Sequence, residues 1–392
     1  MKTAKTAMGT ALLLALLVAT PSRAEEPPIK VGMIYTFSGP AGSMGEVTDY
    51  GVKTFVAQHG DTVAGRKVEI IRRDVSGQAP DLAKRLAQAL VVQDHVDFLT
   101  GIDFTPNAVA IGQVSTASKT PAVDMNASGT PILKNAPYMI RVSQTNQQNS
   151  GPMGQWAAKN GIRTAFIAVA DFAPGLDAAA AFTKTFTAGG GKIVGELHLP
   201  QESINFAAEL QRIKDSKPDA VYVFLTPLPQ APIFLRQFKD AGLEQQGIKV
   251  LASGELTDEF ILPKALGDVA LGVITSHNYT YLHDSELNRS FKKTFDQLIA
   301  GKSRPTQMSV SAYDGMNAIY KVIEAQQGHL DPDKTMALWK GMTFESPRGM
   351  IEIDPETRDI IQDISIRRVE KVDGELQNVE IDRFPRVPPG GL

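Results

Sequence analysis

The chain has 392 residues, a formal net charge of -3 and no cysteine. So small a charge gives no reason to expect nucleic-acid or anionic-membrane binding. The lack of cysteine excludes disulfides, thiolate metal sites, a cysteine nucleophile and a lipid-anchored cysteine after a leader, and the length accommodates two domains with a core each.

Lys2 and Lys5 precede the apolar run Ala11–Ala19, and Pro21-Ser22-Arg23-Ala24 leads to Glu25. The run is too short to span a bilayer and small residues stand at the cleavage positions. A signal peptide over 1–24 is expected, with a periplasmic, soluble and monomeric mature protein. Val31–Tyr35 is an apolar strand that ends in Phe37-Ser38-Gly39-Pro40. Gly42 and Gly45 then lead into a helix with Val47, Tyr50 and Phe55 on one side. In an open α/β sheet the loop leaving a strand's carboxyl end lines the ligand site, and the amides of the next helix favour an anion there. A plain strand-to-helix turn fits the same letters.

The alternation continues. Val68–Arg72 reads as a strand, Leu82, Leu86 and Leu90 as a helical stripe, and Val96–Thr100 as a strand. Asn107–Ser118 reads as a helix and Pro121–Asp124 as a short strand. The polar stretch Arg141–Ser150 interrupts the pattern, which resumes with a helix near Pro152–Asn160, strand Thr164–Val169 and helix Ala178–Ala188. Strand Lys192–Glu196, helix Phe206–Lys214, strand Ala220–Leu225, helix Ala231–Ala241 and strand Ile248–Ala252 follow. Helices Glu286–Ala300 and Ser311–Ala325 come next, then strands Gly349–Ile353 and Ile361–Val369, and Arg386–Leu392 reads as a frayed tail. Strand and helix in turn imply parallel sheets covered on both faces. The expected architecture is α/β: two Rossmann-like lobes joined by a multi-crossover hinge. Lobe 1 is expected over 25–145 plus 276–340 and lobe 2 over 146–275 plus 341–392, with crossovers near Ser143–Gln148, Thr275–Tyr281 and Gly341–Ser346.

Several residues stand where a ligand would be met. Phe37, Phe104, Phe172 and Phe224 each fall at the carboxyl end of a strand, two per lobe. They form either an aromatic slot or ordinary core, core being the expectation for Phe224 above all. Thr105 and Ser128 are hydroxyls at strand ends, suited to receiving a carboxylate or to capping a helix. Glu255 suits an ammonium, an inter-lobe salt bridge or solvent, and Tyr279 and Tyr281 either reach the cleft or pack the hinge. The histidines show no metal-ligand spacing, and no nucleophile elbow or paired carboxylates appear. The residues therefore point to no enzyme, metal or cofactor.

Ser38-Gly39-Pro40 with Gly45, Phe98-Leu-Thr-Gly101 before Thr105, Asp171-Phe-Ala-Pro-Gly175, Lys217-Pro-Asp219-Ala-Val-Tyr222 and Ser311-Ala-Tyr-Asp-Gly315, in this order, resemble one family. It is the type I periplasmic solute-binding proteins of ABC transporters, specifically the leucine/isoleucine/valine-binding group. The resemblance implies a ligand held between the lobes, delivery to permease subunits, and no turnover. By position it implies that Thr105 and Ser128 hold a carboxylate, that Asn126, with Ala127 beside it, contacts the ligand through the backbone, that Met44 covers the site and that Glu255 pairs with an ammonium. Phe37, Ser38, Phe104, Phe172 and Tyr279 complete the expected lining. Pro174 stands where the family places a tyrosine, and Thr226-Pro227 replaces another aromatic contact. These departures shift the expected ligand from a branched-chain amino acid toward a small carboxylate with an aromatic body. The amino acid, and a sensor role on the same fold, remain the alternatives.

Overall fold

The computed structural model describes residues 26–130 and 132–392; the expected signal peptide lies outside them. The first lobe runs β1 (Ile29–Tyr35), α1 (Gly42–His59), β2 (Thr62–Val63), β3 (Arg66–Asp74), α2 (Pro80–Val92), β4 (Phe98–Gly101), α3 (Thr105–Ser118), β5 (Ala122–Asp124) and β6 (Met139–Arg141). Its sheet has the order β2-β3-β1-β4-β5-β6, parallel except for the β2–β3 pair. Side chains alternate across a strand, and β1 shows it. Ile29, Val31, Met33 and Tyr35 enter one core, while Ile34 enters the core on the opposite face. Burial on both faces explains why these strands are continuous apolar runs.

The second lobe runs α4 (Asn146–Lys159), β7 (Thr164–Ala170), α5 (Ala173–Ala188), β8 (Lys192–Leu199), α6 (Ala207–Ser216), β9 (Ala220–Phe224), α7 (Gln230–Asp240), β10 (Lys249–Ser253) and β11 (Ile274–His277). Here too parity sorts the side chains. Phe166, Ala168 and Ala170 of β7 face the core under α6 and α7, and Ala165, Ile167 and Val169 the core under α4 and α5. The chain then returns to the first lobe with α8 (Glu286–Ile299) and α9 (Gln307–Ala325), followed by α10 (Pro332–Trp339). Phe291, Phe295 and Ile299 recur every fourth residue on α8, so one side of a charged helix is buried against the first core.

Four strands finish the chain: β12 (Thr343–Ser346), β13 (Gly349–Ile353), β14 (Ile360–Val372) and β15 (Glu375–Val387). They extend the second sheet, in which β14 pairs antiparallel with β11. The β12–β13 hairpin bonds into that sheet, yet Phe344, Ile351 and Ile353 pack in the first lobe's core. Among the described residues no helix is long and apolar enough to cross a membrane.

One expectation is corrected. The end of the chain is not frayed: Val387 is buried, Thr145 Oγ1 donates to the Pro389 carbonyl at 2.7 Å, and Gln148 Nε2 donates to the Val387 carbonyl at 3.0 Å. The polar stretch 141–150, expected to hold a crossover, is buried. Its second half is the start of α4, and Ser143, Gln144, Thr145, Asn146, Gln148, Asn149 and Ser150 are all buried. These side chains are polar because the crossovers meet there. The Ser143 carbonyl accepts from Asn278 Nδ2 at 3.0 Å, Gln362 Nε2 at 3.0 Å and Arg348 Nη1 at 3.1 Å.

Candidate functional site

A cavity of about 410 Å³ opens between the lobes, at the carboxyl ends of β4, β5, β9 and β10. Pockets of roughly 300–1,000 Å³ suit small molecules. In the first lobe the loop after β5 is set by a buried charge cluster. Asp124 Oδ1 accepts the amides of Asn126 and Ala127 at 3.0 and 2.8 Å, and Arg141, fully buried between Asp124 and Asp359, donates to the Gly129 carbonyl at 2.9 Å. Gly129 N–H donates to Thr105 Oγ1 at 3.1 Å, and among the described residues the Thr105 hydroxyl proton has no acceptor, so it can be offered to the cavity. A Cβ on Gly129 would collide with the Thr105 side chain, so that position demands glycine.

Thr105 opens α3 and does not cap it; the capping position is Phe104, which offers no side-chain acceptor. The same holds for α1 and α5. All three lack a side-chain cap and an acid in the first turn, and the residues at their N-termini line the cavity: Ala41, Ser43 and Met44; Phe104, Thr105 and Pro106; Phe172, Ala173 and Pro174. Three helix ends without a side-chain cap therefore meet one space, although Asp103 accepts the Phe104 N–H at the start of α3 and the Gly42 and Met44 amides of α1 are bonded to the Gly39 and Ala41 carbonyls. Among the described residues no lysine, arginine or histidine lines it. Anion binding here relies on helix ends, amides and hydroxyls.

Phe104, Phe172, Phe224 and Phe260 supply the apolar wall, and Phe172 and Phe224 stand 6.1 Å apart with rings tilted by 47°. Phe224 packs in the second lobe's core as expected, and its edge also lines the cavity. Met44, Phe104, Thr105, Asn126, Ser128, Phe172, Pro174, Thr226 and Glu255 all line the cavity.

Four expected residues do not. Phe37 packs against the first core, where it lies 6.1 Å from Tyr35. Ser38 is exposed and shares a 3.0 Å hydrogen bond with Ser76. Ala127 is buried in the core beneath α2 and α3. Tyr279 is buried too, donating its hydroxyl to Asn288 Oδ1 at 3.1 Å as hinge packing. The segment carrying Phe37 and Ser38 was the right one, but α1 presents its own first turn instead. Tyr281 also stays outside, its ring lying under Lys292 and Arg304.

Glu255 is engaged across the lobes. Gln144 Nε2 donates to its Oε1 at 2.9 Å, and Asn149 Nδ2 holds Gln144 Oε1 at 2.9 Å. The Asn126 side chain is spent on the Asp103 carbonyl and Gln307, each at 2.9–3.0 Å. Asp103 lines the cavity but already accepts from Thr36, from Phe104 N–H and from Asn107 Nδ2. Asp258 and Phe260 were missed from sequence. The spacing Glu255-Leu-Thr-Asp258 was the available signal, because one turn places both acids on the same side. Burial, with Glu259 and Glu255 nearby, pushes the Asp258 carboxyl up to about 7, against the pull of Arg367.

The family model described as "Periplasmic binding protein" matches residues 28–375. The chain is 40% identical over 384 residues to "Leu/Ile/Val-binding protein homolog 6" of Brucella suis biovar 1, covering 98% of each. A solute-binding protein of an ABC transporter from Rhodopseudomonas palustris BisB5, solved with 3,4-dihydroxybenzoic acid, is 44% identical with a TM-score of 0.86 over 92% of this chain and 98% of that one. One from R. palustris HaA2, solved with p-hydroxybenzoic acid, is 41% identical with a TM-score of 0.89 at the same coverage.

Proposed function

Because the chain belongs to the periplasmic binding protein family, we propose that it is the periplasmic solute-binding component of an ABC importer and that it captures an aromatic carboxylic acid between its lobes. The observation that carries the ligand class is the cavity's make-up, three uncapped helix N-termini beside a wall of four phenylalanines. The helix ends and the hydroxyls of Thr105 and Ser128 take the carboxylate, and the phenylalanines take a flat ring by stacking and area burial. Two similar proteins of this class hold hydroxylated benzoic acids, which supports the same reading. The relative's Leu/Ile/Val-binding name favours the amino-acid alternative. Against that, Glu255, the acid awaited for an ammonium, has one oxygen held by Gln144 and the other buried.

In this reading lobe 1 comprises 25–145 plus 276–340 and lobe 2 comprises 146–275 plus 341–392. The β12–β13 hairpin straddles them, and the signal peptide is removed on export. The ligand is handed to permease subunits unchanged. Calorimetry of the mature protein with benzoate, hydroxybenzoates and leucine tests it. Binding of the aromatic acids with no turnover is expected, whereas tight leucine binding without them would restore the amino-acid alternative.

A further inference from the structure

We propose that Asp258 reads a hydrogen-bond donor on the ligand, so that the site prefers ring-hydroxylated aromatic acids to the unsubstituted acid; this rests on the aromatic-acid reading above. Asp258 is 4% exposed and lines the cavity. Among the described residues its carboxylate makes one hydrogen bond, accepting Phe260 N–H on Oδ1 at 3.2 Å. Its Oδ2 has no protein partner and is not sealed within protein. Asp103 differs, carrying three donors of its own, and Glu255 differs in access: its Oε1 is held by Gln144 and its Oε2, although without a partner, is buried.

Burial and Glu259 push the Asp258 carboxyl up to about 7 against the Phe260 N–H and Arg367, so it is chiefly the ionised acceptor only above neutral pH. Arg367, fully buried, donates to Thr275 Oγ1 and to the Tyr279 carbonyl at 2.7 Å, and its positive charge favours the ionised Asp258, while Glu259 and Glu255 oppose it. An ionised carboxylate accepts and cannot donate. It repels the ligand's own carboxylate, which is thereby turned toward Thr105, Ser128 and the end of α3. What Asp258 can then bind is a donor carried elsewhere on the ring, and a phenolic hydroxyl meets that need without adding bulk. A ring lacking it would bury Oδ2 with no partner, the circumstance in which polar sites reject an analogue most strongly.

The test is calorimetry at pH 8 with benzoate, 4-fluorobenzoate, 4-hydroxybenzoate and 3,4-dihydroxybenzoate. The wild-type protein should bind at least one hydroxylated acid about tenfold or more tighter than benzoate and 4-fluorobenzoate. In Asp258→Asn the Phe260 N–H retains the amide oxygen and turns the NH2 group to the cavity, removing the acceptor. The ratio of hydroxylated-acid to benzoate affinity should fall severalfold, because a neutral amide is a weaker partner for the phenol than a carboxylate; benzoate affinity, itself free to change, is measured alongside as the reference. Equal wild-type affinities for the four acids would overturn the inference whether or not the variant folds, and so would a variant that keeps the preference. Binding of leucine with none of the four acids would instead overturn the aromatic-acid reading itself.

Discussion

Thr105 shows how a single hydroxyl acquires a direction. Its oxygen is occupied by the Gly129 amide, so the proton is what remains to offer a ligand. Thr105→Ala should therefore weaken binding of a hydroxybenzoate by about 1.5–3 kcal/mol, the usual range for a bond to a charged group, and Thr105→Ser should restore much of it, as titration calorimetry would show. Asp258 carries a cost in the empty protein. Its carboxyl, ordinarily at 3.8, is pushed up to about 7 by burial, so the native state binds a proton that the unfolded chain has already released. Stability from this group is full below about pH 4 and is lost as pH rises through 7, by up to about 4 kcal/mol at 1.36 kcal/mol per pH unit. Asp258→Asn removes that titration. Melting temperatures taken across pH should show the unliganded variant more stable than wild type at pH 8, with the advantage gone near pH 4; an advantage independent of pH would place the cause elsewhere.

At the scale of elements, the β12–β13 turn fastens the hinge. Arg348 there pairs with Asp314 of α9 at 2.8 Å and donates to the carbonyls of Val142 and Ser143, while Ser346 Oγ donates to Asp314 at 2.8 Å. Both charges are buried, and burial pushes the Asp314 carboxyl up to about 6. Arg348→Met leaves an uncompensated buried carboxylate and should destabilise the protein by about 3–5 kcal/mol at pH 8. At pH 5 Asp314 takes a proton and the loss should shrink, which denaturant unfolding at the two pH values would measure. The sequence showed the strands that became β1, β7 and β9 because burial on both faces makes them continuous apolar runs. It did not show the fate of 141–150. Composition marks a polar stretch as solvated, and only the meeting of crossovers makes Ser143 and Gln148 buried partners of Asn278 and Gln362. Asp258 was hidden for a related reason. Whether an acid on a turn is held by neighbours, as Glu255 is, or left facing a cavity depends on residues such as Gln144, more than a hundred positions away.

For the whole molecule, the site exists only where the lobes meet. Thr105 and Ser128 belong to one sheet's strand ends, and Phe172, Phe224 and Asp258 to the other's. The lobes touch beside the cavity through Gln144 to Glu255, and through Thr130 Oγ1 to Asp177 Oδ2 at 3.2 Å. Arg304 adds ion pairs to Glu259 at 3.6 Å and Glu375 at 2.6 Å, and Lys264 Nζ donates to the Lys302 carbonyl at 2.7 Å, so these contacts are polar, in contrast to the buried knot at the hinge. Opening would break a handful of polar contacts that water can replace, each worth only about 1 kcal/mol net. An open form therefore lies within a few kcal/mol of the closed one, and a ligand shifts the balance by its differential affinity for the closed form. A ligand bridging Thr105 and Asp258 has that differential, because the open cleft offers it only one of the two. Solution scattering should show the radius of gyration fall when 4-hydroxybenzoate is added at saturation. A ligand at about 100 times its dissociation constant should also add roughly 2.7 kcal/mol of stability. Under Asp258→Asn the same ligand at saturation should contract the protein less, since one end of the bridge is gone. If the wild-type radius stays unchanged while the stability gain appears, a single lobe binds the ligand and the bridging role of Asp258 is excluded.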